Sequence, residues 1–309
     1  MIRRVVITDT DLGDGTIEAS ILGPHVDLCV ASARSEEDVI SVAADADGLL
    51  VQWAPISDRV LAALPTLRAV VRYGVGLDNV DVAAAGKRGI KVSNVPDYCI
   101  DEVAEHTFAL VLAGARRLSD LDRQTHHGAW GPKLAILPLP TYMDPVGIAG
   151  FGRIGLAVSE RLRAAGFPVF AFDPYQRESA FAGVQRVGSL VELAEVVNHL
   201  CLQLPGGSDT AGICGAEVLS ALGPDGHLVN TARGSLVDEL ALIEALDAGR
   251  LWRASLDVLA NEPPEGTSAL LAAHPRVLCT PHVAYQSSMS GPKLQQHAAH
   301  RMRELLELG

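Results

Sequence analysis

The chain has 309 residues, 48% of them hydrophobic and 20% charged, enough for two domains with sizeable apolar cores. It carries 25 basic against 37 acidic residues, a formal net charge of −12. That balance argues against nucleic acid and anionic membrane as partners, since both select basic surfaces, and leaves small anions held by local donors.

The first residues after Met1, Ile2-Arg3-Arg4-Val5-Val6-Ile7-Thr8, are too short an apolar run for a secretory leader and turn acidic at Asp9 and Asp11. No apolar run reaches the length of a membrane span. Short β-branched runs then alternate with Ala- and Leu-rich stretches of helical period. Strands are predicted over 5–8, 48–51, 69–72 and 91–94, with helices over 57–64 and 80–88 between them. Such alternation predicts a parallel sheet covered on both faces. A longer helix is predicted over 101–117, with Asp101 as N-cap, Glu102 in its first turn, and Arg116 and Arg117 in its last. The segment His126-His127-Gly128-Ala129-Trp130-Gly131-Pro132, followed by Pro138, Pro140 and Pro145, is too proline-rich for a regular element and is expected to be an irregular crossing. The alternation resumes with strands predicted over 146–149, 169–172, 197–204, 227–231, 255–258 and 277–279. Cys29, Cys99, Cys201, Cys214 and Cys279 are odd in number and lack metal or redox spacing. They are expected to be buried thiols of a cytoplasmic protein, with no disulfide scaffold and no metal site.

Within 146–155 stands G-x-G-x-x-G, at Gly150, Gly152 and Gly155, after an apolar strand and before a helix predicted over 153–165 that Gly166 ends. Gly150 permits the tight turn, Gly152 lets backbone N–H groups approach a pyrophosphate, and Gly155 lets helix and strand pack closely. The helix N-terminus adds partial positive charge. Asp173, at the end of the next strand, suits the hydroxyls of an adenosine ribose and repels a 2′-phosphate. With Pro174 beside it, this favours NAD over NADP, and Arg177 is expected to be a surface residue.

Three later strand ends carry ionisable residues: Arg233, Glu262 and His282. In an open parallel sheet ligands gather beyond the carboxyl ends of strands, so these three are expected to converge.

At these residues the chain resembles the D-isomer-specific 2-hydroxyacid dehydrogenase family. The matching motifs are G-F-G-R-I-G at 150–155, N-T-A-R-G-S-L-V-D-E at 230–239, D-V-L-A-N-E-P-P at 257–264 and T-P-H-V-A at 280–284. Upstream, R-Y-G-V-G-L-D-N-V-D at 72–81 and N-V-P-D-Y-C at 94–99 also match. The last of these, with Glu102-Val103-Ala104-Glu105-His106, is most similar to the subgroup of the C-terminal-binding-protein corepressors. The resemblance implies an α/β fold of two Rossmann- or flavodoxin-like parallel-sheet domains. The NAD-binding domain, 99–285, would be inserted into a substrate domain of 1–98 plus 286–309, with a last helix over 292–308 packing back on the first domain and catalysis in the cleft between domains.

For the cofactor the resemblance implies NAD held by Gly150, Phe151, Gly152, Arg153, Ile154, Gly155, Asp173, Pro174, Leu204, Pro205, Thr210, Thr231, Ala232, Asp257 and His282, with Asp257 on the nicotinamide carboxamide. For the reaction it implies hydride transfer between NADH and C2 of a 2-keto acid, giving a D-2-hydroxy acid, or the reverse. Arg233 offers a charged fork of donors to carboxylate and carbonyl. His282 gives or takes the proton, and Glu262 orients and stabilises its ring. The backbone N–H groups of Val75 and Gly76 would bind the substrate carboxylate, and Trp53 and Tyr285 would shape its pocket. A homodimer through the NAD domain is implied, with Trp130 on the partner subunit. The corepressor likeness leaves an NAD(H)-sensing protein without turnover as the alternative, and a phosphite-type dehydrogenase is a second. Gln203-Leu204-Pro205-Gly206-Gly207-Ser208-Asp209-Thr210 departs from the family's usual H-x-P-L-T-P-E-T, and a more mobile loop over the cofactor is expected there. His106, His126 and His127 are expected to be structural or surface residues.

Overall fold

The computed structural model describes residues 2–131 and 138–308; Met1 and Pro132 lie outside the described residues. The chain divides into two compact units, Met1–Cys99 with Gln286–Gly309, and Ile100–Tyr285.

The first unit runs β1 (Arg3–Ile7), α1 (Thr16–Leu22), β2 (Val26–Val30), α2 (Glu36–Val42), β3 (Gly48–Val51), α3 (Asp58–Ala63), β4 (Ala69–Arg72), α4 (Val82–Lys87) and β5 (Lys91–Ser93). All its strand pairs are parallel, in the order β2-β1-β3-β4-β5 of a flavodoxin-like sheet. The central strands read as unbroken apolar runs because helices cover both faces: Val6, Leu49, Val51 and Val70 are fully buried. Ser57 and Asp81 cap their helices by accepting the N–H groups of Val60 and Ala84. Strand β2 escapes the sequence pattern because it is an edge strand, half exposed along Val26–Val30.

The second unit runs α5 (Ile100–Ala115), α6 (Leu118–His126), β6 (Val146–Ala149), α7 (Arg153–Ala164), β7 (Val169–Phe172), β8 (Gln185–Arg186), α8 (Leu190–Glu195), β9 (His199–Leu202), α9 (Ala216–Leu222), β10 (His227–Asn230), α10 (Glu239–Asp247), β11 (Arg253–Leu256), α11 (Gly266–Ala272) and β12 (Val277–Cys279). Its parallel sheet has the order β12-β11-β10-β9-β6-β7-β8, the doubly wound arrangement with a reversal between β6 and β9. The last helix, α12 (Ser290–Leu306), belongs to the first unit. It buries Leu294, Ala298, Ala299 and Met302, and Met302 packs where a Cβ on Gly48 of β3 would stand.

Two expectations fail around α5. The helix starts at Ile100, so Asp101 lies inside its first turn and pairs with Arg161 at 2.7 Å instead of capping. It also ends at Ala115, because Arg117 takes the left-handed conformation (φ +54°) and starts α6. His126 is the last residue of α6 rather than part of an irregular segment; that helix buries no residue, so it has no apolar stripe to betray it. Among the described residues the cysteines form no disulfide, but Cys29 and Cys279 are only partly buried. Among the described residues no helix is long and apolar enough to cross a membrane, and no group of three or more His, Cys, Asp or Glu side chains is placed to hold a metal ion.

Candidate functional site

In the second unit the turn after β6 and the turn after β9 lie side by side, where the strand order reverses. A Cβ on Gly150, at φ +92°, would stand 2.5 Å from the Gln203 carbonyl oxygen, so only glycine lets the two turns meet. A Cβ on Gly155 would strike the Gly150 carbonyl oxygen at 2.2 Å, which is the close helix–strand contact expected of that position. Gly152 differs: nothing lies within 4 Å of its would-be Cβ, and no side chain caps α7, for which it is the N-cap. Space and uncapped helix N–H groups therefore coincide, which is what a bound pyrophosphate requires. Phe151 is buried in this turn, Arg153 is exposed on the first turn of α7, and Ile154 packs against the core.

Asp173 follows β7 with Pro174 exposed beside it. Its carboxylate accepts the Phe151 N–H at 2.8 Å and the Tyr175 N–H at 2.9 Å, which fixes it against the glycine turn and leaves further acceptor capacity. Arg177 is exposed, as expected. Arg186 of β8 was not anticipated: it lies over the Phe181 ring at 4.7 Å and reaches the Asp173 carbonyl at 3.4 Å. The side chains fit a dinucleotide.

The turns after β10, β11 and β12 bring the predicted ionisable residues together. Asn230 clamps the first: its amide donates to the Arg233 carbonyl at 2.8 Å, and its oxygen accepts the Ala232 N–H at 3.0 Å. Gly234 then lets this turn touch the next, since its Cβ would stand 1.9 Å from the Leu259 carbonyl carbon. The Glu262 carboxylate accepts the Leu259 N–H at 2.8 Å and meets His282 Nδ1 at 2.5 Å. Burial opposes ionisation of Glu262. The His282 hydrogen bond and charge, the Leu259 N–H and the Arg233 guanidinium outweigh it and hold the carboxyl below the usual glutamate range. The Arg233 guanidinium also donates to the Ala232 carbonyl at 2.6 Å. Tyr285 stands edge-on to His282, ring centroids 6.0 Å apart.

Several supporting residues have bracing roles that the motifs alone do not assign. Buried Glu239 accepts the Ala260 N–H and the Ser268 hydroxyl at 2.8 and 2.7 Å, bracing the turn that carries Glu262. Asp257 is buried, and its carboxylate takes hydrogen bonds from Thr280, Val283 and Ala284, so it holds the His282 turn. Gln203 donates to Thr231 at 2.8 Å and to Thr107 at 3.2 Å, tying the start of the unusual loop to β10 and α5. Farther along that loop, partly buried Leu204 precedes exposed Pro205, whose carbonyl accepts the Thr210 hydroxyl at 2.8 Å.

In the first unit the sheet reverses between β1 and β3, and buried Asp9 occupies that point. Its carboxylate takes the N–H groups of Gln52, Trp53 and Ala54 at 3.3, 2.7 and 3.3 Å. The Trp53 indole donates to Asp11 at 2.8 Å, and the Arg72 guanidinium lies 5.9 Å from its ring. Val75 and Gly76 sit in the turn after β4, which Asn94 pins through the Val75 carbonyl and the Val95 N–H pins through the Gly74 carbonyl.

Residues 108–284 match the model of the D-isomer specific 2-hydroxyacid dehydrogenase NAD binding domain. The chain is 35% identical over 302 residues to the D-3-phosphoglycerate dehydrogenase of Mycobacterium tuberculosis, covering 97% of this chain and 56% of that one. It thus spans little more than half the length of such relatives. Among solved structures it is similar to an NADPH-dependent glyoxylate/hydroxypyruvate reductase of Sinorhizobium meliloti in complex with NADP and malonate (32% identity, TM-score 0.86, 100% of this chain and 95% of that chain). It is also similar to a D-lactate dehydrogenase of Aquifex aeolicus complexed with NAD and lactic acid (26% identity, TM-score 0.89, 98% and 95%).

Proposed function

The chain belongs to the D-isomer-specific 2-hydroxyacid dehydrogenase family, and on that premise we propose that it is an NAD-dependent enzyme interconverting a small 2-keto acid and the D-2-hydroxy acid. The observation that carries this reading is the His282–Glu262 hydrogen bond of 2.5 Å beside Arg233, on the sheet that bears the uncapped glycine turn. Gly150, Phe151, Gly152, Arg153, Ile154, Gly155, Asp173, Pro174, Leu204, Pro205, Thr210, Thr231, Ala232, Asp257 and His282 would hold NAD, which would supply or accept the hydride.

The chain's own residues do the rest. Arg233 binds the substrate carboxylate and polarises the carbonyl as charge gathers on its oxygen, together with the backbone N–H groups of Val75 and Gly76. The His282 imidazolium gives a proton from Nε2 to that oxygen during reduction, and the neutral ring takes it back during oxidation. Glu262, ionised and accepting from Nδ1, fixes the tautomer and orients the ring. Trp53 and Tyr285 set the size of the side chain admitted. Asp173 selects the unphosphorylated ribose.

The test is NADH oxidation with a panel of 2-keto acids by the purified chain and by His282→Gln. Tight NADH binding with no turnover on any member would instead mark an NAD(H)-sensing protein. We assign a homodimer through the second unit: Leu118, Trp130, Tyr142 and Met143 are all exposed there, and α6 buries nothing. A sedimentation mass of one chain at micromolar concentration would contradict it.

A further inference from the structure

We infer that His106, on α5, is a positioning residue for His282 and acts through Thr280 and Asp257; the inference rests on His282 being the acid/base. His282 has φ +54°, a left-handed backbone that non-glycine residues rarely adopt, so its surroundings must hold it. The His282 N–H donates to the carbonyls of Asp257 and Thr280 at 2.8 and 3.0 Å. The next two N–H groups, of Val283 and Ala284, donate to the Asp257 carboxylate at 3.0 and 2.9 Å. On the other side of the histidine, the Thr280 hydroxyl donates to Asp257 Oδ1 at 2.6 Å. One buried carboxylate therefore grips the turn on both sides of His282.

The grip depends on where the Thr280 proton points. His106 Nε2 lies 3.1 Å from Thr280 Oγ1 and 3.7 Å from Asp257 Oδ1. A hydroxyl has one proton, and that of Thr280 goes to Asp257, so His106 Nε2 is the donor to Thr280. The donor sits on a 16-residue helix, a rigid carrier. The neighbouring Thr107 bonds Thr231 at 2.7 Å, so one turn of α5 secures the ends of β10 and β12 together.

His106→Phe keeps a ring and removes the donor. It is expected to lower kcat by about 10- to 100-fold while the KM for NADH stays within about threefold, because loss of alignment penalises the chemical step more than cofactor binding. His106→Gln, whose amide reaches the same hydroxyl, is expected to restore most of the loss. Thr280→Val should match His106→Phe, and the double variant should be no slower than Thr280→Val alone, since both break one link. Wild-type kcat in His106→Phe, or losses that multiply in the double variant, would overturn the inference. If His106→Phe does not fold, Thr280→Val against Thr280→Ser decides: a slow valine and a fast serine variant support it, and two fast variants refute it. If the wild-type chain turns over no 2-keto acid, the acid/base reading fails by itself. Amide hydrogen exchange at 282–284 then judges the positioning alone: acceleration in Thr280→Val supports it, and unchanged protection refutes it.

Discussion

Gly234→Ala probes how tightly the catalytic turns are pressed together. A Cβ at residue 234 would stand 1.9 Å from the Leu259 carbonyl carbon, 2.0 Å from its oxygen and 2.5 Å from the Ala260 nitrogen. All three are backbone atoms, so no rotamer change relieves the clash. Ordinary contact begins at 3.4 Å, and the Arg233 turn and the Glu262 turn must therefore part by roughly 1.5 Å, an overpacking strain worth about 1–3 kcal/mol of stability. A displacement near 1 Å in a reacting constellation costs about 10²-fold in rate. Steady-state NADH oxidation should show kcat/KM down by that factor, while circular dichroism shows a folded chain with a lowered Tm. Gly86→Ala, at an open position on α4, is the control: kcat/KM should be unchanged and Tm should not fall, since alanine suits a helix better than glycine. A folded Gly234→Ala chain with kcat/KM within about threefold of wild type would refute the claim that close apposition of these turns builds the site.

Gly152→Val should fold with unchanged Tm, since nothing lies within 4 Å of the added Cβ, yet lose NADH binding by fluorescence titration; retained binding would remove the pyrophosphate from that space. Asp173→Ser should raise the ratio of NADPH to NADH use, with Arg186 at hand for the 2′-phosphate, and an unchanged ratio would take Asp173 out of cofactor selection. Burial, then the charges of His199 and Arg253, hold His227 well below its ordinary pKa of 6.5. The unfolded chain takes that proton as pH falls below 6.5 and the folded chain resists it, so stability drops on acidification by up to about 1.4 kcal/mol per pH unit for the one proton, until the folded pKa is reached. His227→Gln should flatten the fall of urea midpoint between about pH 7 and pH 5, and equal slopes would show that His227 takes the proton in both states.

The parts of the fold legible from residue order were those whose burial is uniform. Strands such as Val146–Ala149 and His227–Asn230 are covered on both faces and stand out as short runs between helical stretches. Of the four edge strands, β5 and β12 were legible as short β-branched or apolar runs, but β8, two exposed polar residues, and half-exposed β2, whose run Asp27 interrupts, were not. Helix ends near Arg117 were missed because its left-handed backbone has no glycine to announce it. In the site, Arg233, Glu262 and His282 were legible because each follows a strand, and adjacent parallel strands deliver their ends to one edge. Glu239, Thr280 and His106 stand within the matched motifs, but their roles were not legible. Their meaning is a hydrogen bond to a turn remote in sequence, as with His106 and Thr280, 174 residues apart. Asp257 shows the same limit: a role toward the cofactor was expected, and what its carboxylate does in the fold is hold the histidine turn.

The most direct test of the central claim is the rate of NADH oxidation with glyoxylate, hydroxypyruvate and pyruvate, measured for the wild-type chain and for His282→Gln alongside NADH affinity. At least one of these acids should be reduced to its 2-hydroxy acid, as the D isomer where C2 becomes a stereocentre. The account also predicts a loss of at least about 10²-fold in His282→Gln, with NADH affinity retained. Equal rates in the two proteins, or firm NADH binding by a wild-type chain that reduces none of the acids, would contradict it.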